Sequence, residues 1–95
     1  MVKGDLSHSR SIRCVAGVTF PFKREPTDPT ILHIFARHLK EPRHAIWAWF
    51  NGQAIWSEEF ERFECQAQGT GLYWAWLDYE QAVVLVISCF DLEGA

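Results

Sequence analysis

The chain has 95 residues, enough for one domain and too few for two independent cores, so a single domain over 1–95 is expected. Hydrophobic residues make up 48% and aromatics 15%, with five Trp and seven Phe, which excludes a disordered chain and points to apolar surface in excess of what one small core absorbs. The net charge of −3 is split: residues 1–44 carry eight of the nine Lys and Arg against four acids, for +4, and residues 45–95 carry one Arg against eight acids, for −7. Such a split fits a nucleic-acid face, complementary halves of one fold, or subunits pairing head to tail.

The first ten residues are polar and mixed in charge, and they read as a flexible leader without the apolar stretch of a signal peptide. Ser11 to Phe20 alternates, with Ile12, Cys14, Ala16, Val18 and Phe20 on one face, which predicts a strand buried on one side. FPFKREPTDP is a proline-rich loop. Asp28 before Pro29 reads as a helix start and Pro42 as the stop, placing one main helix over 29–40. On that helix Ile31, Leu32, Phe35 and Leu39 form the inward stripe, flanked by Ile34 and His38, and His33, Arg37 and Lys40 lie opposite.

Asn51-Gly52 is the strongest short signal for a two-residue hairpin, so residues 45–50 and 53–56 are predicted as its arms; a short helix capped by the same pair is the alternative. Residues 57–68 have helical spacing in Trp56, Phe60 and Phe63. The unbroken alternation from Arg62 to Gln68 favours a strand there. Leu72–Tyr79 and Ala82–Phe90 form a hairpin turning near residues 79–81. The first arm carries Trp74, Trp76 and Asp78 on one face; the second sets Val83, Leu85, Ile87 and Cys89 against Val84, Val86, Ser88 and Phe90. The expected fold is therefore α+β: one antiparallel sheet of about five or six strands with a single main helix on one face. One helix covers one face, so the other apolar face needs a second occupant.

Trp74 and Trp76, with Asp78 or Glu80 as counter-charge and Trp47 and Trp49 widening the wall, are the candidate interface or ligand-binding residues, because indole faces bury large areas and attract cations. The leading expectation is a non-enzymatic module that self-associates as a homodimer and binds a protein partner or small ligand through this aromatic face. A pocket for a cationic or aromatic small molecule is the alternative.

Arg37, His38, Lys40, Arg43 and His44 form the one basic cluster and the candidate phosphate site. In the order strand, helix, antiparallel meander, and without any residue motif, the layout resembles small bacterial toxin ribonucleases of the RelE type; that resemblance implies RNA cleavage, with His38, Arg37 and Arg43 at the phosphate. The acidic balance of the whole chain argues against a nucleic-acid partner.

Cys14, Cys65 and Cys89 are odd in number, far apart and at inward phases, and they are expected as small buried hydrophobes rather than a disulfide framework or a zinc site. No catalytic, metal or nucleotide-binding motif is present, and no cofactor is expected. The longest apolar run is far short of the roughly 20 residues that cross a bilayer, and the expected location is the cytoplasm.

Overall fold

In a computed structural model the described residues are 12–92, and the flexible leader expected at 1–10 lies outside them. A mixed sheet of six strands runs in the order β1-β2-β8-β7-β6-β5. Its strands are β1 (Ile12–Val15), β2 (Val18–Pro21), β5 (Gln53–Ser57), β6 (Arg62–Ala67), β7 (Thr70–Asp78) and β8 (Val83–Asp91). A separate hairpin pairs β3 (Arg24–Glu25) with β4 (Asp28–Leu32), and two helices follow it, α1 (His33–His38) and α2 (Pro42–Asn51).

The class is α+β as expected, but the sheet is not purely antiparallel. After β2 the chain builds the small hairpin, both helices and strands β5 to β7 before β8 comes to lie beside β2 in parallel, with Thr19 paired to Val83 and a bridge from Phe22 to Val86. Two helices, not one, accompany it among the described residues.

The strand expected over Ser11–Phe20 is a hairpin. Ala16 and Gly17 both adopt positive φ, 53° and 82°, between the paired residues Val15 and Val18, which defines a two-residue type I′ turn. A second such turn, Gln68-Gly69 with φ of 45° and 85°, joins β6 to β7 between Ala67 and Thr70.

Asn51-Gly52, which carries the textual signature of that turn, ends α2 instead. The Gly52 N–H donates to the carbonyl of Ala48 at 2.7 Å, and the Asn51 side-chain N–H donates to the carbonyl of Trp47 at 2.8 Å. Glycine is required at 52 for space: a Cβ there would lie 2.5 Å from Cys65 Sγ and 2.7 Å from the carbonyl oxygens of Ala48 and Gln66. The first arm of the expected hairpin is therefore helix α2, begun by Pro42 at its first position, and only the second arm is a strand.

The helix expected over 29–40 is shortened from its N-terminal side. Residues 28–32 pair with β3 through Glu25↔Asp28 and Arg24↔Leu32, and the His33 N–H donates to the Lys23 carbonyl, so backbone pairing displaces the first helical turns. What remains is six residues, closed by Leu39 in the left-handed region at φ 57°. The inward stripe shifts as a result: Ile34 is fully buried, whereas Phe35 and Leu39 are 47% and 75% exposed. The strand expected over 62–68 is present as β6.

β8 departs from simple alternation. Tyr73 pairs with Ser88 and Trp74 with Val86, leaving Ile87 as an extra residue; a second shift near Leu77 separates Trp76↔Val84 from Asp78↔Val83. The bulge changes which residues share a face. Val84, Val86 and Cys89 lie together in the core, not Val83, Leu85, Ile87 and Cys89. With them pack Phe20, Phe22, Ile34, Ala45, Ala48, Cys65, Ala67, Leu72 and Trp74. Among the described residues no helix is long and apolar enough to cross a membrane.

Candidate functional site

Helix α2 delivers Trp49 onto the sheet, and this one side chain explains where most of the aromatic surface goes. Trp49 meets Trp74, Trp76 and Phe20 edge-on, at ring-centroid distances of 5.5, 6.1 and 5.5 Å. Phe63 stacks on Trp74 at 4.4 Å and is met in turn by Trp56 at 5.0 Å. Trp74, 6% exposed, is thus core under α2 within a single chain. The Cys65 thiol ties the helix down further by donating to the Ala48 carbonyl at 3.4 Å. Burial pushes the thiols of Cys65 and Cys89 up, the latter to about 11, so both are inert apolar fillers. Cys14 departs from that expectation and is exposed.

Trp76 occupies a different setting from Trp74. β6 begins at Arg62 and its pairing with β7 ends at Phe63↔Trp74, so Ala75 to Asp78 run on past it, paired to β8 alone. Between this projecting hairpin and the turn joining β5 to β6 lies an open notch of about 550 Å³, lined by Trp56, Phe63, Ala75 and Trp76 with the carboxylates Glu58 and Glu61. The turn is held by the Phe60 N–H donating to Ser57 Oγ at 3.3 Å and by Glu61 at a positive φ of 53°. None of the six lining residues carries a positive charge.

Of the expected aromatic site, then, Trp76 lines the notch and Trp74 lies behind it. Asp78 accepts a hydrogen bond from the Gln81 N–H at 3.1 Å and so shapes the β7–β8 turn, and Glu80 is an exposed turn residue. Trp47 is half exposed on the outer side of α2, beside Arg43, His44 and Thr70. The sequence reading missed Trp56, Glu58 and Glu61. Glu58 and Glu61 lie in the β5–β6 turn, and although both flanking segments read as strands, nothing local shows that their turn comes to rest beside the end of β7 and Trp76.

The basic cluster is spent on acids of the chain itself. Arg37 Nε donates to Glu25 Oε2 at 2.8 Å, Arg43 Nε to Glu41 Oε1 at 2.8 Å, and Lys40 pairs with Asp91. The buried Glu25 carboxylate also accepts from His33 Nδ1 at 3.3 Å, which fixes the proton on that nitrogen. Burial pushes Glu25 up, but the hydrogen bonds and charges of Arg37 and His33 outweigh it and leave the carboxyl below its ordinary range. Arg43 holds Glu41 below its ordinary range as well. The Glu41 N–H donates to His44 Nδ1 at 3.0 Å, which engages that nitrogen within the helix cap. His38 turns to the sheet and packs against Phe90 at 5.7 Å. A phosphate approaching these residues would compete with existing carboxylate partners.

Among the described residues no group of three or more His, Cys, Asp or Glu could hold a metal ion. No protein-family model matches the chain, and no curated protein or solved structure matches it significantly.

Proposed function

We propose that the chain is a small non-enzymatic binding module whose notch between the β5–β6 turn and the β7–β8 hairpin takes a cationic group. One observation carries this reading: three aromatic rings, Trp56, Phe63 and Trp76, and two carboxylates, Glu58 and Glu61, line a single open depression whose lining includes no basic residue. An ammonium or guanidinium over an indole or phenyl face gains about 0.5–2 kcal/mol per ring, more where water is displaced, and each carboxylate adds charge neutralisation. The size is in the range of small-ligand sites, roughly 300–1,000 Å³.

The test is a fluorescence titration with tetramethylammonium and with an N-acetyl-lysine amide. A saturable change in Trp emission is expected, lost in Trp56→Ala and weakened in Glu58→Gln with Glu61→Gln. No saturable change up to about 10 mM, an affinity below roughly 3 kcal/mol, overturns the reading.

Self-association is the second reading. Trp47 and Phe50 favour it, since both are more than 40% exposed on α2. Light scattering behind size exclusion would then give a mass near twice 11.0 kDa; a monomer at micromolar concentration overturns it.

A further inference from the structure

The two outer strands of the sheet differ in how well they are protected. β1 carries the charged residue Arg13. β5, Gln53-Ala54-Ile55-Trp56-Ser57, pairs with β6 on one side in an uninterrupted register and has no strand on its other side among the described residues. It has no charge, no proline and no bulge, three of the devices by which edge strands ordinarily repel further pairing. Its row of backbone donors and acceptors is a template for one more strand.

Side chains on either face of β5 say what that strand would carry. Ile55, paired with Glu64 and 75% exposed, offers an apolar contact on one face; Trp56, paired with Phe63 and 47% exposed, opens on the other face into the notch. The turn that follows holds Glu58, Glu59 and Glu61, all exposed. The nearest cation, Arg62, is occupied by Glu64 at 3.0 Å and by the ring of Tyr73 at 3.6 Å.

Resting on the cation-binding reading of the notch, we propose that the occupant is an extended basic segment of another protein, which adds to β5 as a seventh strand of the sheet. An apolar residue of that segment sits beside Ile55. The adjacent Lys or Arg lies over Trp56 and reaches the carboxylates of Glu58 and Glu61. Main-chain hydrogen bonds supply affinity and the alternating side chains supply specificity. Charge decides against a second copy of this chain on the same edge: pairing β5 with β5 would juxtapose two halves that each carry −7.

The experiment uses the full chain and four probes: a short peptide alternating lysine and valine, the same peptide N-methylated at every residue, a glutamate–valine peptide of equal length, and tetramethylammonium. Binding is read by Trp fluorescence and by chemical shifts of the β5 amides. The lysine–valine peptide should bind at least about tenfold more tightly than its N-methylated form, which keeps every charge and loses every donor, and than the glutamate–valine peptide. It should protect β5 amides from exchange. Ile55→Lys should weaken it while leaving tetramethylammonium binding unchanged. Equal binding of the N-methylated peptide, or of the glutamate–valine peptide, overturns strand addition by a basic segment. If tetramethylammonium binds in the notch but the lysine–valine peptide gains nothing over it, the notch reading stands and the strand falls. A dimer that dissociates in Ile55→Lys identifies a second copy as the occupant and also overturns the proposal.

Discussion

The two faces of the six-stranded sheet are covered by different means. On one, α2 brings a whole helix, and Trp49, Phe63, Trp74 and Trp76 interlock beneath it. On the other, the cover is thinner: Phe90 meets Tyr73 at 4.9 Å, Arg62 lies over Tyr73 at 3.6 Å and over Phe60 at 4.4 Å, and the short helix α1 contributes His38, which packs on Phe90. A sheet apolar on both sides and supplied with little helix can therefore be closed by a cation spread over aromatic rings, whose stem covers apolar surface while its charge stays near water. Helix cover excludes water; side-chain cover does not.

The comparison predicts unequal sensitivity. Trp74→Ala empties the centre of the aromatic cluster and should cost about 3–5 kcal/mol, enough to unfold much of a small domain at room temperature. Tyr73→Ala, one residue away on the thinner face, should cost about 1–2 kcal/mol, since a half-buried ring leaves a void that water and Arg62 refill. Chemical denaturation of the two variants checks this, and equal losses would mean the faces are equally closed.

Two glycines sharpen the contrast. A methyl at Gly52 meets the carbonyl oxygens of Ala48 and Gln66, main-chain atoms at a helix end and in a strand that cannot move independently. At Gly71 it meets only the Phe90 ring, at 2.4 Å, and a ring on the thinner face can turn away. Both lie at the upper part of the usual range of about 1–3 kcal/mol for overpacking, with Gly52→Ala the larger. Gly71→Ala should also shift the ring resonances of Phe90 and Tyr73 while those of Trp74 stay in place.

Acid should loosen the thinner side first. The folded-state pKa of Glu25 is held below the usual 4.5 by Arg37 and His33, so its stabilising contribution is fully present above that value and is lost as pH falls through the lowered folded pKa. Glu25 anchors α1, whose His38 packs on Phe90. Amide exchange measured downward from pH 5 should therefore rise in α1 and around Phe90 before it rises in α2, and the pH dependence should flatten in Glu25→Gln.

Much of this arrangement was legible in the sequence, and the failures have physical causes. The meander from Arg62 onward follows from alternation and short turns. The excess of apolar surface over helix cover was also readable. What escaped was decided by contacts between distant residues. Asn51-Gly52 has the composition of a hairpin turn, yet glycine is needed there because Cys65 and Gln66, more than ten residues on, approach too closely for a side chain. Ile87 is the extra residue in the β7–β8 register, and alternation along one strand carries no trace of that. The parallel return of β8 beside β2 joins segments more than sixty residues apart, with no local signal at either end.

The smallest expected effect concerns the turns that the sequence disguised. Type I′ turns want asparagine or glycine at their first central position, and here alanine and glutamine stand there, Ala16 at φ 53° and Gln68 at φ 45°. A side chain with a β-carbon in that region is strained, and asparagine tolerates it best because its amide can bond locally. Ala16→Asn and Gln68→Asn should each raise stability by about 0.5–1 kcal/mol, seen as a small increase in melting temperature. The two are not equivalent in what they tighten. Gln68-Gly69 joins β6 to β7 within the helix-covered centre, where the strands are already clamped by Trp74, so its gain should appear only in global unfolding. Ala16-Gly17 joins β1 to β2 at the sheet margin, where Ile12 and Val15 are exposed. There the gain should also slow amide exchange in β1, a local effect that Gln68→Asn should not reproduce in β6.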